Sequence, residues 1–217
     1  MRIGISNLKG GVGKTTVTQN LAVCFAHMGY RTCIVDTDTN QNSLAWYGVR
    51  DESLPRLTVV GATEAKALNK TVDSLHTDYD VVLIDGTPSL SEMTTRIIMA
   101  SDILVIPILP SGHDFRAMGQ FFERYEQARE FRDRIPAYFL LNRFSENIGI
   151  HLDIRGLLDQ FGIPILKTTL RDRVAYVKTA IEGRGVYEFS DEKAKAEAVA
   201  LTQELLAIAA ELGLIQS

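Results

Sequence analysis

A chain of 217 residues, 46% hydrophobic and 23% charged, has the length of one domain with a substantial core, and a single domain over 1–217 is expected. Its formal net charge of −4 excludes attraction of nucleic acid by the surface as a whole, so any such contact has to come from a local basic patch. No apolar stretch approaches the ~18 residues that span a bilayer and no signal-peptide layout precedes the first strand, which predicts a cytoplasmic protein that does not enter a membrane.

The chain begins with an apolar run that predicts a strand over Arg2–Asn7. Lys9-Gly10-Gly11-Val12-Gly13-Lys14-Thr15-Thr16 follows at once, with a helix expected over Lys14–Met28. A strand feeding a glycine-rich loop that opens a helix is a phosphate-binding arrangement. The glycines let backbone N–H groups turn inward, and the helix start adds partial positive charge. Within it Lys14 can reach terminal phosphates and the Thr15 hydroxyl can coordinate Mg²⁺. Nucleotide binding by the run from Lys9 to Thr16 is the expectation.

Strands are next predicted at Thr32–Asp36, Leu57–Val60, Val81–Asp85, Ile103–Ile108, Ala137–Asn142 and Pro164–Thr168. Helices are predicted at Ala62–Leu75, Glu92–Ala100, Phe115–Arg132, Ile154–Phe161 and Val174–Gly183, with a last one from Asp191 to Leu212, capped by Ser190 or Asp191. Uninterrupted runs such as Val81-Val82-Leu83-Ile84 suit strands covered on both faces. The alternation implies an α/β fold, a doubly wound, mostly parallel sheet with helices on both faces and ligands at the carboxyl ends of its strands.

Several polar residues fall at those ends. Asp36 closes the second strand with Asp38 two residues on, and Asp85 closes another after four apolar residues, the layout that sets a carboxylate beside Mg²⁺ in a phosphoryl-transfer site. Asn142 ends a later strand, where its amide could serve an adenine edge or a turn. Between Lys167 and Arg184, five cations (Lys167, Arg171, Arg173, Lys178 and Arg184) stand against Asp172 and Glu182, a candidate patch for sequence-independent phosphate contacts. Cys24 and Cys33 fall in apolar segments and are expected to be reduced core residues. His27, His76, His113 and His151 lack metal-ligand spacing. Trp46 is expected to be a buried structural indole.

The glycine loop has Leu8 where a strict G-x-x-x-x-G-K-[ST] pattern has glycine, and carries Lys9 just before the glycines. In this it resembles the deviant Walker A ATPases, the ParA and MinD superfamily, and the resemblance runs from Lys9 to the last helix, with small ParA-type partition ATPases the nearest in size. The resemblance implies ATP and Mg²⁺ as cofactors and a homodimer formed on ATP binding. It also implies catalytic roles for Lys9, Lys14 and Asp38, with Lys9 reaching the other subunit's nucleotide and Asp38 orienting the attacking water. Thr15, Asp36 and Asp85 would lie near Mg²⁺, and Asp85-Gly86-Thr87-Pro88 would form a switch that senses the terminal phosphate. Further implications are non-specific DNA binding through the Lys167–Arg184 region, a centromere-binding ParB-type adaptor that stimulates hydrolysis, and nucleoid association.

The chain departs from the family after Asp38, with Thr39-Asn40 where Pro-Gln is usual. A looser water-positioning loop and slow turnover are expected from that change. A MinD-like membrane-cycling ATPase and a small-molecule synthetase on the same scaffold are the alternative readings. Gly213–Ser217 offers no basic amphipathic tail for the first of these.

Overall fold

The computed structural model describes all residues except 90, 111–114, 133, 146–149 and 216–217, and for 115–117 and 150–153 the backbone alone. His113 therefore lies outside the described residues, as does the side chain of His151.

The Val/Ile/Leu runs form six parallel strands: β1 (Arg2–Ile5), β2 (Thr32–Asp36), β3 (Thr58–Gly61), β4 (Val81–Asp85), β5 (Ile103–Ile108) and β6 (Ala137–Leu141). Their order across the sheet is β3-β2-β4-β1-β5-β6. The helices are α1 (Lys14–His27), α2 (Asn42–Gly48), α3 (Ala65–Asp78), α4 (Glu92–Ala100), α5 (Phe115–Arg129), α6 (Ile150–Leu158), α7 (Val174–Ile181) and α8 (Glu192–Glu211). The predicted α/β doubly wound class is the observed one.

Alternation along β4 sorts the core into two layers. Val81 and Leu83 pack with Val17 and Leu21 of α1 and Leu201 and Leu205 of α8. Val82 and Ile84 face the other way, onto Leu68 and Val72 of α3 and Ile97 of α4. All four β4 residues are fully buried, each removed from water for roughly 1.5–3 kcal/mol. A third apolar cluster joins Leu104, Ile106 and Phe139 to Phe121 of α5 and Leu158 of α6.

Two elements differ from the sequence reading. Pro164–Thr168 is not a strand: it touches β6 through one bridge, Phe139 with Ile165, and the N–H groups of Lys167 and Thr168 turn instead to the Glu204 carboxylate of α8 at 2.6 and 2.8 Å. Helix α2 was not expected. Seven residues with only Ser43 and Trp46 buried carry almost no helical periodicity, and its start is fixed by the Asp36 carboxylate at the end of β2 and by Asp85 at the end of β4. The Asp191 carboxylate caps α8, accepting the N–H groups of Lys193 and Ala194 at 3.1 and 3.0 Å. Cys24 and Cys33 are free and buried.

Candidate functional site

Parallel register brings the carboxyl ends of β1, β2 and β4 level, pairing Ile5 with Asp85 and Asp36 with Asp85. The glycine loop leaves β1 at this edge and enters α1. Gly11 and Gly13 have φ of +76° and +91°, left-handed conformations that strain any side chain and turn the loop back over the helix start. Helix α1 has no acidic residue in its first turn and no side-chain cap, leaving its amino end electropositive. Behind the loop, the Asn7 carboxamide ties it down: its Oδ1 accepts the Lys9 N–H at 3.0 Å and its Nδ2 donates to the Pro107 carbonyl at 2.8 Å.

Lys14 is buried, and its Nζ donates to the Lys9 carbonyl at 2.8 Å across the loop. Burial lowers its pKa to about 8, against the pull of the Asp85 and Asp38 charges. A desolvated ammonium beside a glycine-rich loop at a helix start suits a polyphosphate. Gly10 is exposed, and a side chain there would first meet Pro88, so the loop faces the Gly86–Pro88 segment. Gly86 itself admits no Cβ, because the Ile5 carbonyl would lie 2.6 Å from it.

The three aspartates have different surroundings. Asp85 is 1% exposed; its Oδ2 accepts the Ser43 hydroxyl at 2.7 Å and its Oδ1 the Thr15 hydroxyl at 3.3 Å. Burial pushes it up to about 7, against the hydrogen bond from Ser43. Asp36 is fully buried and accepts three backbone N–H groups, those of Asp38 at 3.1 Å, Ser43 at 2.8 Å and Leu44 at 3.1 Å. Burial raises its pKa too, even against these donors. Asp38 is half-buried at the mouth, its Oδ1 accepting the Asn40 N–H at 2.9 Å.

Among the described residues no three His, Cys, Asp or Glu side chains are grouped to hold a metal ion. The donors at hand for Mg²⁺ are the Thr15 hydroxyl and the Asp85 carboxylate beside it, which fits a cation held jointly with a nucleotide's phosphates. A buried carboxyl with so raised a pKa would be relieved by a cation at this point.

Asn142 lies at the loop's other flank. Its Nδ2 donates to the Val12 carbonyl at 2.8 Å and its Oδ1 accepts the Arg143 N–H at 3.0 Å. The residue thus anchors the glycine loop to the end of β6, a contact the sequence did not reveal. From it a groove of about 460 Å³ runs past Gly11, Gly13 and Thr16 to Tyr176, Val177 and Ile181 of α7. Arg143, with φ of +54°, bends the chain here, as Gln41 with +51° does after Asp38. These are the two non-glycine residues with positive φ among those described, and both border the site.

The five cations from Lys167 to Arg184 have separate settings. Arg171 and Arg173 line the groove and both reach Glu197 of α8, at 3.8 and 2.6 Å. Lys167 is exposed beside α8, Lys178 is exposed on α7, and Arg184 is half-buried, 3.7 Å from Glu182. The sequence count of +3 therefore overstates the local charge, since Glu197 comes from 24 residues further along.

With this geometry in view, the comparisons are specific. The model of the CbiA family, the CobQ/CobB/MinD/ParA nucleotide binding domain, matches residues 3–186. The chain belongs to this family. As a CbiA-family protein it sits in the ParA/MinD superfamily with relatives that include positioning ATPases. It is 29% identical over 198 residues to maintenance of carboxysome distribution protein A of Halothiobacillus neapolitanus, covering 86% of each chain. It is 32% identical over 155 residues to the chromosome-partitioning ATPase Soj of Thermus thermophilus, covering 59% of this chain and 62% of that one. In structure it matches apo McdA of Cyanothece with a TM-score of 0.81 over 94% of this chain and 98% of that one, at 14% identity, a likeness of fold. The CbiA match spans β1 to beyond α7, and so takes in the glycine loop, the three aspartates and Asn142.

Sequence reasoning missed Ser43, Asn7 and the anchoring role of Asn142. Ser43 had a signal in hindsight, a hydroxyl seven residues after Asp36, but only the unforeseen α2 turns it toward Asp85. Trp46 is buried as expected, 4% exposed, and its indole Nε1 donates to the Arg184 carbonyl at 3.1 Å.

Proposed function

We propose that this protein is a ParA-type ATPase whose two copies close face to face on ATP and Mg²⁺, bind DNA without sequence preference, and release it when an adaptor stimulates hydrolysis. The observation that supports the reading is the glycine loop itself: Lys9 opens it, Lys14 is buried under it, and Asp85 stands 3.3 Å from Thr15 at its exit.

In this reading the loop amides from Gly10 to Thr16 and the Lys14 ammonium hold the phosphates, while Thr15 and Asp85 are the residues that would hold Mg²⁺, whose charge would offset that of the phosphates. Asp36, closed by three backbone donors, holds the Asp38 amide and would act near the metal through its bound waters. Asp38, at the mouth with one carboxylate oxygen on the Asn40 amide, orients water for in-line attack. Lys9 serves the partner's nucleotide. Asn142 holds the loop flank where the base enters the groove. Lys167 and Lys178, both exposed, provide phosphate contacts that a dimer doubles, so affinity gains by avidity.

The protein would cycle between cytoplasm and nucleoid with a ParB-type partner. A relative named for carboxysome distribution extends the cargo from plasmid or chromosomal DNA to a protein assembly. No helix among the described residues is long and apolar enough to cross a membrane.

The test pairs sedimentation with DNA binding. With a slowly hydrolysed ATP analogue the wild type should sediment as a dimer and bind duplex DNA far more tightly than with ADP. Lys9→Ala should bind ATP yet stay monomeric and lose the DNA gain. Single molecules at saturating analogue, or equal DNA binding with ADP and ATP, would remove the reading.

A further inference from the structure

Helix α2 connects the aspartates to a distant surface, and its two ends are held by different parts of the molecule. At its start no residue of its own caps it. The N–H groups of Ser43 and Leu44 go to Asp36, and the Ser43 hydroxyl goes to Asp85. The phosphate site therefore supplies the cap, and any change in those carboxylates moves the helix start. Only Ser43 and Trp46 of α2 are buried, with Leu44 packed partly against the same core as Trp46.

At its end the helix is bound to the segment that follows α7. The Trp46 indole donates to the Arg184 carbonyl at 3.1 Å, and the Arg50 guanidinium lies over the same ring at 5.6 Å. Arg50 donates to the Gly183 carbonyl at 3.0 Å and pairs with Glu188 through two bonds of 2.6 and 2.9 Å, both side chains 3% exposed. Glu188 in turn accepts the Gly185 N–H at 3.1 Å. Gly183, with φ of +67°, lies so close that a Cβ would come within 2.6 Å of the Arg50 nitrogen. A buried, bidentate ion pair with neighbouring backbone bonds is stiff, and displacing one side displaces the other. Beyond Gly183 stands α7, which exposes Val174, Val177 and Ile181.

We propose that Ser43 is a positioning residue that passes the state of the phosphate site along α2 to the Gly183–Glu188 segment and α7. The proposal rests on the nucleotide-site reading and adds to it the route by which the α7 surface follows the nucleotide. Trp46, the one tryptophan in the chain, sits on that route and reports it.

The experiment measures intrinsic tryptophan emission and, separately, ATP affinity by calorimetry, on the full chain with Mg²⁺. Wild type should change its emission on adding ATP and differ between ATP and ADP. Ser43→Ala should lose that change while its ATP affinity falls by no more than about tenfold, the scale of one hydrogen bond. Ser43→Thr, which keeps the hydroxyl, should restore it. A full emission change in Ser43→Ala overturns the proposal, as does a wild type that binds ATP with constant emission. A wild type without measurable ATP affinity sinks the nucleotide reading and this one with it. Hydrogen exchange on unmutated protein gives an arm free of folding defects: ATP should alter protection of the Gly185 amide, and unaltered protection there overturns the coupling.

Discussion

The Asn142 amide donates to the Val12 carbonyl at 2.8 Å, so the end of β6 holds the middle of the glycine loop. One side chain thereby holds the loop's shape at the point where the proposed reading has the base enter. Gly13 stands directly under that amide, and a Cβ at Gly13 would collide with Asn142 Nδ2. Asn142→Ala should weaken ATP and GTP alike, by roughly tenfold for one lost hydrogen bond at a buried loop. A residue that reads adenine would instead lose its preference for ATP over GTP. Competition binding with both nucleotides separates the two. Gly13→Ala should abolish both, since the φ of +91° and the collision act together.

The Asp85 carboxyl makes stability depend on pH in a defined direction. Burial raises it to about 7, well above its value in an unfolded chain. As pH rises through this interval the unfolded chain gives up the proton first, so the native state binds more protons. The stability contribution is full below the unfolded pKa and is lost as pH climbs through the folded one. Without ligand, the melting temperature should fall from about pH 5 to about pH 8, and Asp85→Asn should flatten that fall. An identical slope in the variant would assign the proton elsewhere. Near pH 7, binding of Mg²⁺ and ATP should release protons from wild type, read by calorimetry in buffers of different ionisation enthalpy.

Much of the frame was readable in the sequence because it depends on local composition. The run Val81–Ile84 suits a strand buried on both faces, and Gly11 and Gly13 fall in a glycine-rich run between a strand and a helix, the layout of a phosphate loop. What escaped was long-range. Helix α2 owes its start to Asp36 at the end of β2 and to Asp85, 42 residues away at the end of β4, and no window around Asn42–Gly48 contains the second of these. Pro164–Thr168 looks like a strand by composition, yet Glu204 of α8 takes the amides that a neighbouring strand would need. In the same way Glu197 claims Arg171 and Arg173, two of the five cations counted toward a basic patch.

That division of the cations predicts how DNA binding responds to salt. Lys167 and Lys178, both exposed, are the candidates for direct phosphate contact, and each such contact contributes about 0.9 to the slope of log affinity against log salt. Lys167→Gln and Lys178→Gln should each reduce the slope by about that amount in the ATP state, with equal effect on unrelated duplexes. Arg173→Gln should leave the slope intact and lower the melting temperature, because it leaves Glu197 without its 2.6 Å partner. A slope that drops for Arg173→Gln and not for Lys178→Gln would put the DNA on the groove side of α7.

The loop after Asp38 sets the last expectation. The Gln41 N–H donates to the Asp38 carbonyl at 3.0 Å, making Thr39 and Asn40 the central pair of a turn that begins at Asp38, the residue proposed to orient water. Proline is favoured at the first central position, where its fixed φ removes freedom from a loop that threonine leaves open. Pre-setting such a position stabilises the turn by roughly 0.4–1 kcal/mol. If turnover waits on Asp38 reaching its working position, the same gain raises the rate by about two- to fivefold. Thr39→Pro with Asn40→Gln should therefore speed steady-state ATP hydrolysis at saturating ATP while leaving nucleotide affinity where it was. An unchanged rate in a folded double variant would mean that this turn does not limit the cycle, and the slow step would then lie in dimer closure or release.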